Sequence, residues 1–232
     1  MRLDKFLCDS TDLTRSLAKT ALARGEITVN GEVVKRPTHV VKDADCVQWQ
    51  GETLELIGLR YIMLNKPAGY ECTNSNSQYP MVMELIDVDK RDRLHTVGRL
   101  DVDTTGLLLI TDDGQWTHRV ISPRRRCDKV YVATLAEPVS PDAIALFANG
   151  MMLSGEERPM LPATLELPEP CTARLTIQEG KYHQVKRMFG ALGNRVVALH
   201  RERIGDVALD AGLAAGESRY LTADEVASLG DD

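Results

Sequence analysis

The chain has 232 residues, 43% of them apolar, enough to bury a sizeable core as one large domain or two unequal ones, which excludes a disordered chain. No apolar run approaches the roughly 20 residues that cross a bilayer. The opening Met1-Arg2-Leu3-Asp4-Lys5 sets an acid where a signal peptide turns hydrophobic, so a soluble, cytoplasmic protein without a membrane partner is expected. The net charge of -6 argues, as a sum, against nucleic acid, because phosphate neutralisation supplies most such affinity.

The distribution of charge changes that reading. Residues 1 to 42 hold 8 Lys/Arg against 5 Asp/Glu, residues 119 to 130 hold 5 against 1, and residues 181 to 203 hold 6 against 1, whereas 7 acids gather in residues 205 to 232. Local basic faces for RNA are therefore compatible with an acidic total, although ordinary solvated faces would give the same counts. The cysteines, Cys8, Cys46, Cys72, Cys127 and Cys171, are odd in number and lack the close pairs of zinc or redox motifs, so they read as reduced structural thiols.

In chain order, Leu3, Phe6 and Leu7 share one face of a first helix. Thr14 caps a second, carrying Leu17, Ala18, Ala21 and Leu22, which Gly25 stops. Glu26 to Val29, the Asn30-Gly31 turn and Glu32 to Val34 predict a hairpin, and residues 40 to 49 add a short strand. Gln50-Gly51-Glu52-Thr53 and Gly58 read as a linker, which sets a domain boundary near residue 57. Beyond it, strands at Tyr61 to Leu64, Gly106 to Thr111 and Lys129 to Thr134 alternate with helices. One helix is opened by Ser140-Pro141-Asp142 and closed by Gly150, one runs from Tyr182 to Leu192, and one starts at Thr222 with a capping box to Glu225. This irregular order predicts an α+β fold rather than a doubly wound parallel sheet.

The two N-terminal helices present Arg2, Lys5, Arg15, Lys19 and Arg24, a cation set able to follow a phosphate backbone or to form a plain solvated surface. Arg2-Leu3-Asp4-Lys5-Phe6-Leu7, Ser16-Leu17-Ala18-Lys19 and Arg24-Gly25-Glu26-Ile27-Thr28-Val29-Asn30-Gly31 resemble the RNA-binding domain named after ribosomal small-subunit protein four. The resemblance implies binding of structured RNA by residues 1–57, without indicating what chemistry follows.

The segment Gly98-Arg99-Leu100-Asp101-Val102-Asp103-Thr104-Thr105-Gly106 reads as a loop before a buried strand, a position suited to presenting a catalytic carboxylate. Taken alone, an Asp before Thr-Thr-Gly fits a turn or cap equally well, and two close carboxylates also fit a glycosidase or a metal site. The wider set narrows the field. Asn65-Lys66-Pro67-Ala68-Gly69, the Arg99-Leu100-Asp101 loop, Lys129-Val130-Tyr131 and Glu179-Gly180-Lys181-Tyr182-His183-Gln184-Val185-Lys186-Arg187-Met188-Phe189 resemble, in order and spacing, the pseudouridine synthases.

That resemblance implies a catalytic domain over residues 58–232, with a mixed or antiparallel sheet, that isomerises uridine to its C-glycoside without metal or cofactor. It implies Asp101 as nucleophile, Tyr131 packing on the flipped base and Lys186 pairing with Asp101, although Lys in place of Arg gives up bidentate geometry. Arg99 would hold the opened RNA, Lys66 would support Tyr131 or contact phosphate, and His183, Arg187 and Arg124 to Arg126 would contact RNA. Asp103 would shape the loop. The resemblance implies a single uridine of 16S rRNA as target, by analogy uridine 516, in a pre-ribosomal small-subunit particle, with the Lys181 to Lys186 segment as the reason for preferring the small-subunit type, and a monomer is expected. A non-catalytic RNA-binding assembly factor would keep the basic surfaces but would not need Asp101, and a glycosidase would need a second acid, for which Asp103 is the near candidate.

Overall fold

The computed structural model describes residues 1–73, 75 and 77–230. It divides into two compact units, Met1–Leu59 and Arg60–Asp232, the division falling two residues beyond the expected junction.

The first unit opens with α1 (Leu3–Ser10) and α2 (Arg15–Arg24), followed by β1 (Ile27–Val29), β2 (Glu32–Val33), β3 (Val47–Trp49) and β4 (Glu52–Thr53). The Thr14 side chain accepts from the Leu17 amide to start α2, and Gly25 ends it with φ of 75°. Both helices bury one face, Leu3, Phe6 and Leu7 against Ala18, Ala21 and Leu22, with Ile27, Val29 and Val47 completing the core. Leu17, the other apolar residue named on this helix, is exposed. The sheet runs β2-β1-β3-β4, every pair antiparallel. Positive φ at Asn30 and Gly31 makes the first hairpin turn, as Asn-Gly predicts. The expected linker is instead a second hairpin: Gln50 and Gly51 also take positive φ, pairing Trp49 with Glu52. Gln seldom adopts that backbone, which is why the turn was hidden.

The second unit contains β5 (Tyr61–Lys66), β6 (His95–Thr96), β7 (Thr105–Thr111), α3 (Gly114–Ile121), β8 (Lys129–Leu135), α4 (Asp142–Ala148), β9 (Thr164–Glu169), β10 (Thr172–Ile177), α5 (Gln184–Ala191), β11 (Val196–Ile204), β12 (Val207–Ala208), β13 (Ser218–Tyr220) and α6 (Ala223–Gly230). Its main sheet has the order β13-β5-β7-β11-β8-β10-β9, with β6 on β7 and β12 on β11. Among the described strand pairs only β7 and β11 run parallel, so the fold is α+β with a mixed sheet.

Period-two alternation along the central strands gives this sheet two apolar faces. Ile62, Leu64, Leu108, Ile110, Tyr131 and Ala133 join one core, while Met63, Leu107, Leu109 and Ile204 join another under Trp116 of α3 and Leu229 of α6. The capping box of α6 is formed: Thr222 N–H donates to Glu225 Oε2 at 2.8 Å and Glu225 N–H to Thr222 Oγ1 at 3.2 Å. The helix expected from Tyr182 begins at Gln184, because His183 turns to φ 46° and leaves Tyr182 outside it. No helix among the described residues is long and apolar enough to cross a membrane.

Candidate active site

Residues 97–104 connect β6 to β7 without regular structure of their own, and the surrounding chain holds them in place. Lys66, at the end of β5, has 0% exposure. Its ammonium donates to the carbonyls of Pro67 (3.0 Å), Asp101 (3.1 Å), Val102 (3.4 Å) and Thr104 (2.8 Å). Gly69 N–H donates to Val102 O at 2.7 Å, so the Lys-Pro-Ala-Gly turn and the aspartate loop are tied by backbone as well. Buried Leu100 anchors the loop from inside, its N–H directed at Cys72 Sγ at 3.4 Å. Burial pushes the Lys66 ammonium below its ordinary value, but the carbonyls surround it with acceptors. Lys66 is thus a clamp on the loop. The expectation of a phosphate contact is corrected, because an ammonium enclosed by carbonyls cannot meet the backbone of an RNA.

The clamp leaves the Asp101 side chain projecting from the loop, 29% exposed. Lys186, in the first turn of α5, donates to Asp101 Oδ2 at 2.9 Å and to Asp103 Oδ1 at 2.7 Å. Burial pulls the Lys186 ammonium down, but its bonds to Asp103 and Asp101 outweigh this and raise it above its ordinary value. Asp103 shows the reciprocal effect: burial would raise its carboxyl, yet the Lys186 bond holds it below the usual range. Asp103 is therefore a partner of the same lysine rather than only a shaper of the loop. The second oxygen of Asp101 lies 3.4 Å from His183 Nε2. The left-handed backbone of His183 makes that approach, and its ring stacks on exposed Tyr182 with centroids 3.8 Å apart.

These groups open on a cleft of about 1870 Å³ whose walls include Arg99, Asp101, Asp103, Tyr131, His183 and Lys186. Arg99 is exposed and makes no hydrogen bond or ion pair among the described residues. Tyr131, from β8, is 8% exposed and reaches the cleft from the core side. Arg124 lies exposed outside the cleft wall, while Arg126 of the same run lines it. Arg187 does not present a free cation. Its guanidinium donates to Glu156 Oε1 at 2.8 Å, Ser154 O at 2.7 Å and Tyr182 O at 3.1 Å, fastening the 154–156 turn to α5.

In the N-terminal unit all five expected cations are exposed. Arg2 pairs with Asp4 at 2.7 Å, Lys5 with Asp9 at 2.9 Å and Arg24 with Glu26 at 3.8 Å, leaving Arg15 and Lys19 without an ion pair among the described residues.

One cleft residue escaped the sequence reading. Arg201 of β11 is 3% exposed and donates to Leu107 O at 2.8 Å and to the Tyr131 hydroxyl oxygen at 3.2 Å. Its signal was an arginine two residues after Leu199 in a β-type run, on the face the alternation reserves for the core. Counting it with the basic face of residues 181 to 203 overlooked that period.

Residues 60–191 match the family described as RNA pseudouridylate synthase, and residues 1–46 match the S4 domain. The chain is similar to the ribosomal small subunit pseudouridine synthase A of Vibrio cholerae serotype O1, 52% identical over 229 residues that cover 99% of each chain. It is similar to the protein of the same name from Escherichia coli K12, at 48% identity over 99% of this chain and 100% of the other. Among solved structures, a crystal structure of a pseudouridylate synthase aligns over 99% of both chains with 48% identity and a TM-score of 0.72.

Proposed function

The chain belongs to the RNA pseudouridylate synthase family, and on that premise we propose that it isomerises a single uridine of 16S rRNA to pseudouridine during small-subunit maturation, with Asp101 as nucleophile. The observation that carries this reading is the grip on Asp101: its backbone is held by Lys66, and its carboxylate faces the cleft between Lys186 and His183.

The chemistry fits a carboxylate beside a cation. The N1–C1′ bond breaks with its electron pair leaving on the uracil, and an Asp101 oxygen bonds to C1′, as carboxylates do at anomeric carbons. The freed uracil turns, and C5 displaces the carboxylate from C1′. The C5 proton then leaves, its bonding pair staying in the ring, and N1 gains a proton. Nothing is oxidised or reduced. Lys186 orients the attacking oxygen and screens it from Asp103. Tyr131 packs against the base and takes part in moving the C5 proton.

A uridine must leave its stack before C1′ can be reached, at a cost of a few kcal/mol. Arg99, exposed at the cleft edge, has a planar guanidinium that can fill the vacated place. Residues 1–57 form an RNA-binding module that delivers the target to the catalytic domain of residues 58–232. The target is, by analogy, uridine 516, met by a monomer in a pre-ribosomal particle.

The test is complementation: pseudouridines are mapped in rRNA from cells lacking the protein, then in the same cells supplied with wild type or Asp101→Asn. One 16S site should vanish, return with wild type and stay absent with Asp101→Asn while that variant remains folded and RNA-bound. Return of the site with Asp101→Asn would overturn the mechanism, and loss of a site in another RNA would overturn the substrate.

A further inference from the structure

Three neighbouring strands bring Gly106, Arg201 and Tyr131 abreast. Arg201 pairs with Gly106 across the parallel β7–β11 ladder and with Tyr131 across the antiparallel β11–β8 ladder. Residues abreast in a sheet point to one face, so the arginine and tyrosine side chains emerge side by side. Glycine at 106 lets the backbones close up: a Cβ there would fall 2.3 Å from Arg201 O. The Arg201 guanidinium then spans the row. Nε donates to Leu107 O on one strand, Nη1 donates to the Tyr131 hydroxyl on the other, and the guanidinium carbon lies 5.8 Å from the Tyr131 ring centroid.

Structure alone does not call for a charge here. Among the described residues no carboxylate pairs with Arg201, and its Nη2 has no partner. A buried cation without a counter-ion is costly. Its field also reaches neighbouring groups: the Lys66 and Lys129 ammoniums are pushed down first by burial and further by Arg201.

We infer that Arg201 is a positioning residue for Tyr131: by donating to the phenol oxygen it occupies one lone pair, fixes the ring, and directs the hydroxyl proton and remaining lone pair towards the substrate uracil. This rests on the reading of Tyr131 as the residue that meets the base. The hydrogen bond also places a fixed positive charge beside the oxygen through which the C5 proton passes, and such preorganised charge counts for more in a dry site. Arg201 itself stays behind the tyrosine and acts through it.

The experiment compares wild type, Arg201→Met, Arg201→Lys, Tyr131→Phe and the two double variants in single-turnover pseudouridine formation, using RNA with hydrogen or deuterium at C5 of the target uridine. Arg201→Met should slow turnover about tenfold to 100-fold, a part of the roughly 10²- to 10⁴-fold that a general acid–base group contributes, with little change in RNA affinity. It should also enlarge the C5 isotope effect. Arg201→Lys, keeping one donor and the charge, should recover part of the rate. On the Tyr131→Phe background neither Arg201 variant should slow the reaction further. Should Arg201→Met not fold, the Arg201→Lys and Tyr131→Phe cycle carries the same comparison.

A slowed Arg201 variant with an unchanged isotope effect, or with losses that multiply on Tyr131→Phe, would overturn the inference and leave Arg201 as a tie between strands. A Tyr131→Phe enzyme with wild-type rate and isotope effect would instead overturn the underlying reading of Tyr131.

Discussion

Lys66 holds Asp101 by its main chain, Nζ to carbonyl at 3.1 Å, in a setting with no exposure to solvent. A lysine serves where no neutral side chain would, because one small head group with three donors is shared among four converging carbonyls. Lys66→Met keeps the stem but leaves those carbonyls without their donor. A loss of about 2–4 kcal/mol is expected from unsatisfied buried groups. Turnover should fall further than the folded fraction does, since the aspartate loop loosens before the sheet melts. Urea midpoints measured beside single-turnover rates check this, and equal losses in both would show that Lys66 only stabilises.

Gly106 carries two constraints at once, φ of 103° and the approach of Arg201 O to 2.3 Å from where a Cβ would sit. Backbone cannot yield as a flexible side chain would, so Gly106→Ala must shift β7 away from β11. We expect destabilisation of about 3 kcal/mol or more, combining left-handed strain with the clash. Chemical denaturation measures it, and a midpoint within error of wild type would contradict the close packing of these strands.

Legibility of the fold followed locality. The Asn30-Gly31 hairpin, the Thr14 cap and the Thr222 capping box were readable because each is settled by residues within a few positions. The Gln50-Gly51 turn was missed because glutamine rarely takes positive φ, and the start of α5 was misplaced because His183 does the same. The Asp101 loop was found through its company of motifs. What the sequence could not give were the long-range partners: the carbonyls that enclose Lys66, Glu156 and Ser154 that occupy Arg187, and Leu107 and Tyr131 that employ Arg201. An exposed cation and a buried one are spelled alike, and only tertiary structure separates them.

Lys186 serves two carboxylates whose exposure differs, Asp101 at 29% and Asp103 at 66%. The more solvated pair should matter less. Asp103→Asn is expected to change stability by about 0–1 kcal/mol, as exposed ion pairs do. Its effect on turnover should stay under about tenfold, which corresponds to about 1.4 kcal/mol in the barrier. Lys186→Met removes both bonds and leaves two carboxylates facing each other, so turnover should fall about 100-fold or more. Lys186→Arg should restore part of it. A Lys186→Met enzyme with near-normal turnover would dismiss the pairing as incidental.

Arg15 and Lys19 lie four residues apart on α2, exposed and without ion pairs among the described residues, whereas Arg2, Lys5 and Arg24 are each engaged by a carboxylate. If the N-terminal unit follows phosphates, these two cations do the larger share. Arg15→Ala with Lys19→Ala should weaken RNA binding and reduce the slope of log affinity against log salt by about one for each phosphate that is no longer neutralised. Arg2→Ala should reduce it less. Identical slopes for all variants would place the RNA elsewhere.

Acid stability should report the C-terminal helix. Arg219 donates to both Glu225 oxygens at 2.8 Å, and the Thr222 amide donates to Oε2 as well. The Arg219 bonds come first in holding the Glu225 carboxyl down to about 2, against an opposing effect of burial. A carboxyl whose value is lower in the folded state contributes stability that is fully present above its unfolded value, about 4.3, and is lost as pH falls towards 2. Both partners are partly solvated, at 30% and 21% exposure, so screening limits the contribution to about 1 kcal/mol. Glu225→Gln should therefore be less stable than wild type at pH 7, and the gap should close between about pH 4.3 and 2. Other depressed carboxyls, Asp113 and Asp103 among them, destabilise both proteins alike over that range, so the difference between the two curves isolates Glu225. A gap that stays constant down to about pH 2 would mean that the glutamate acts through packing rather than charge.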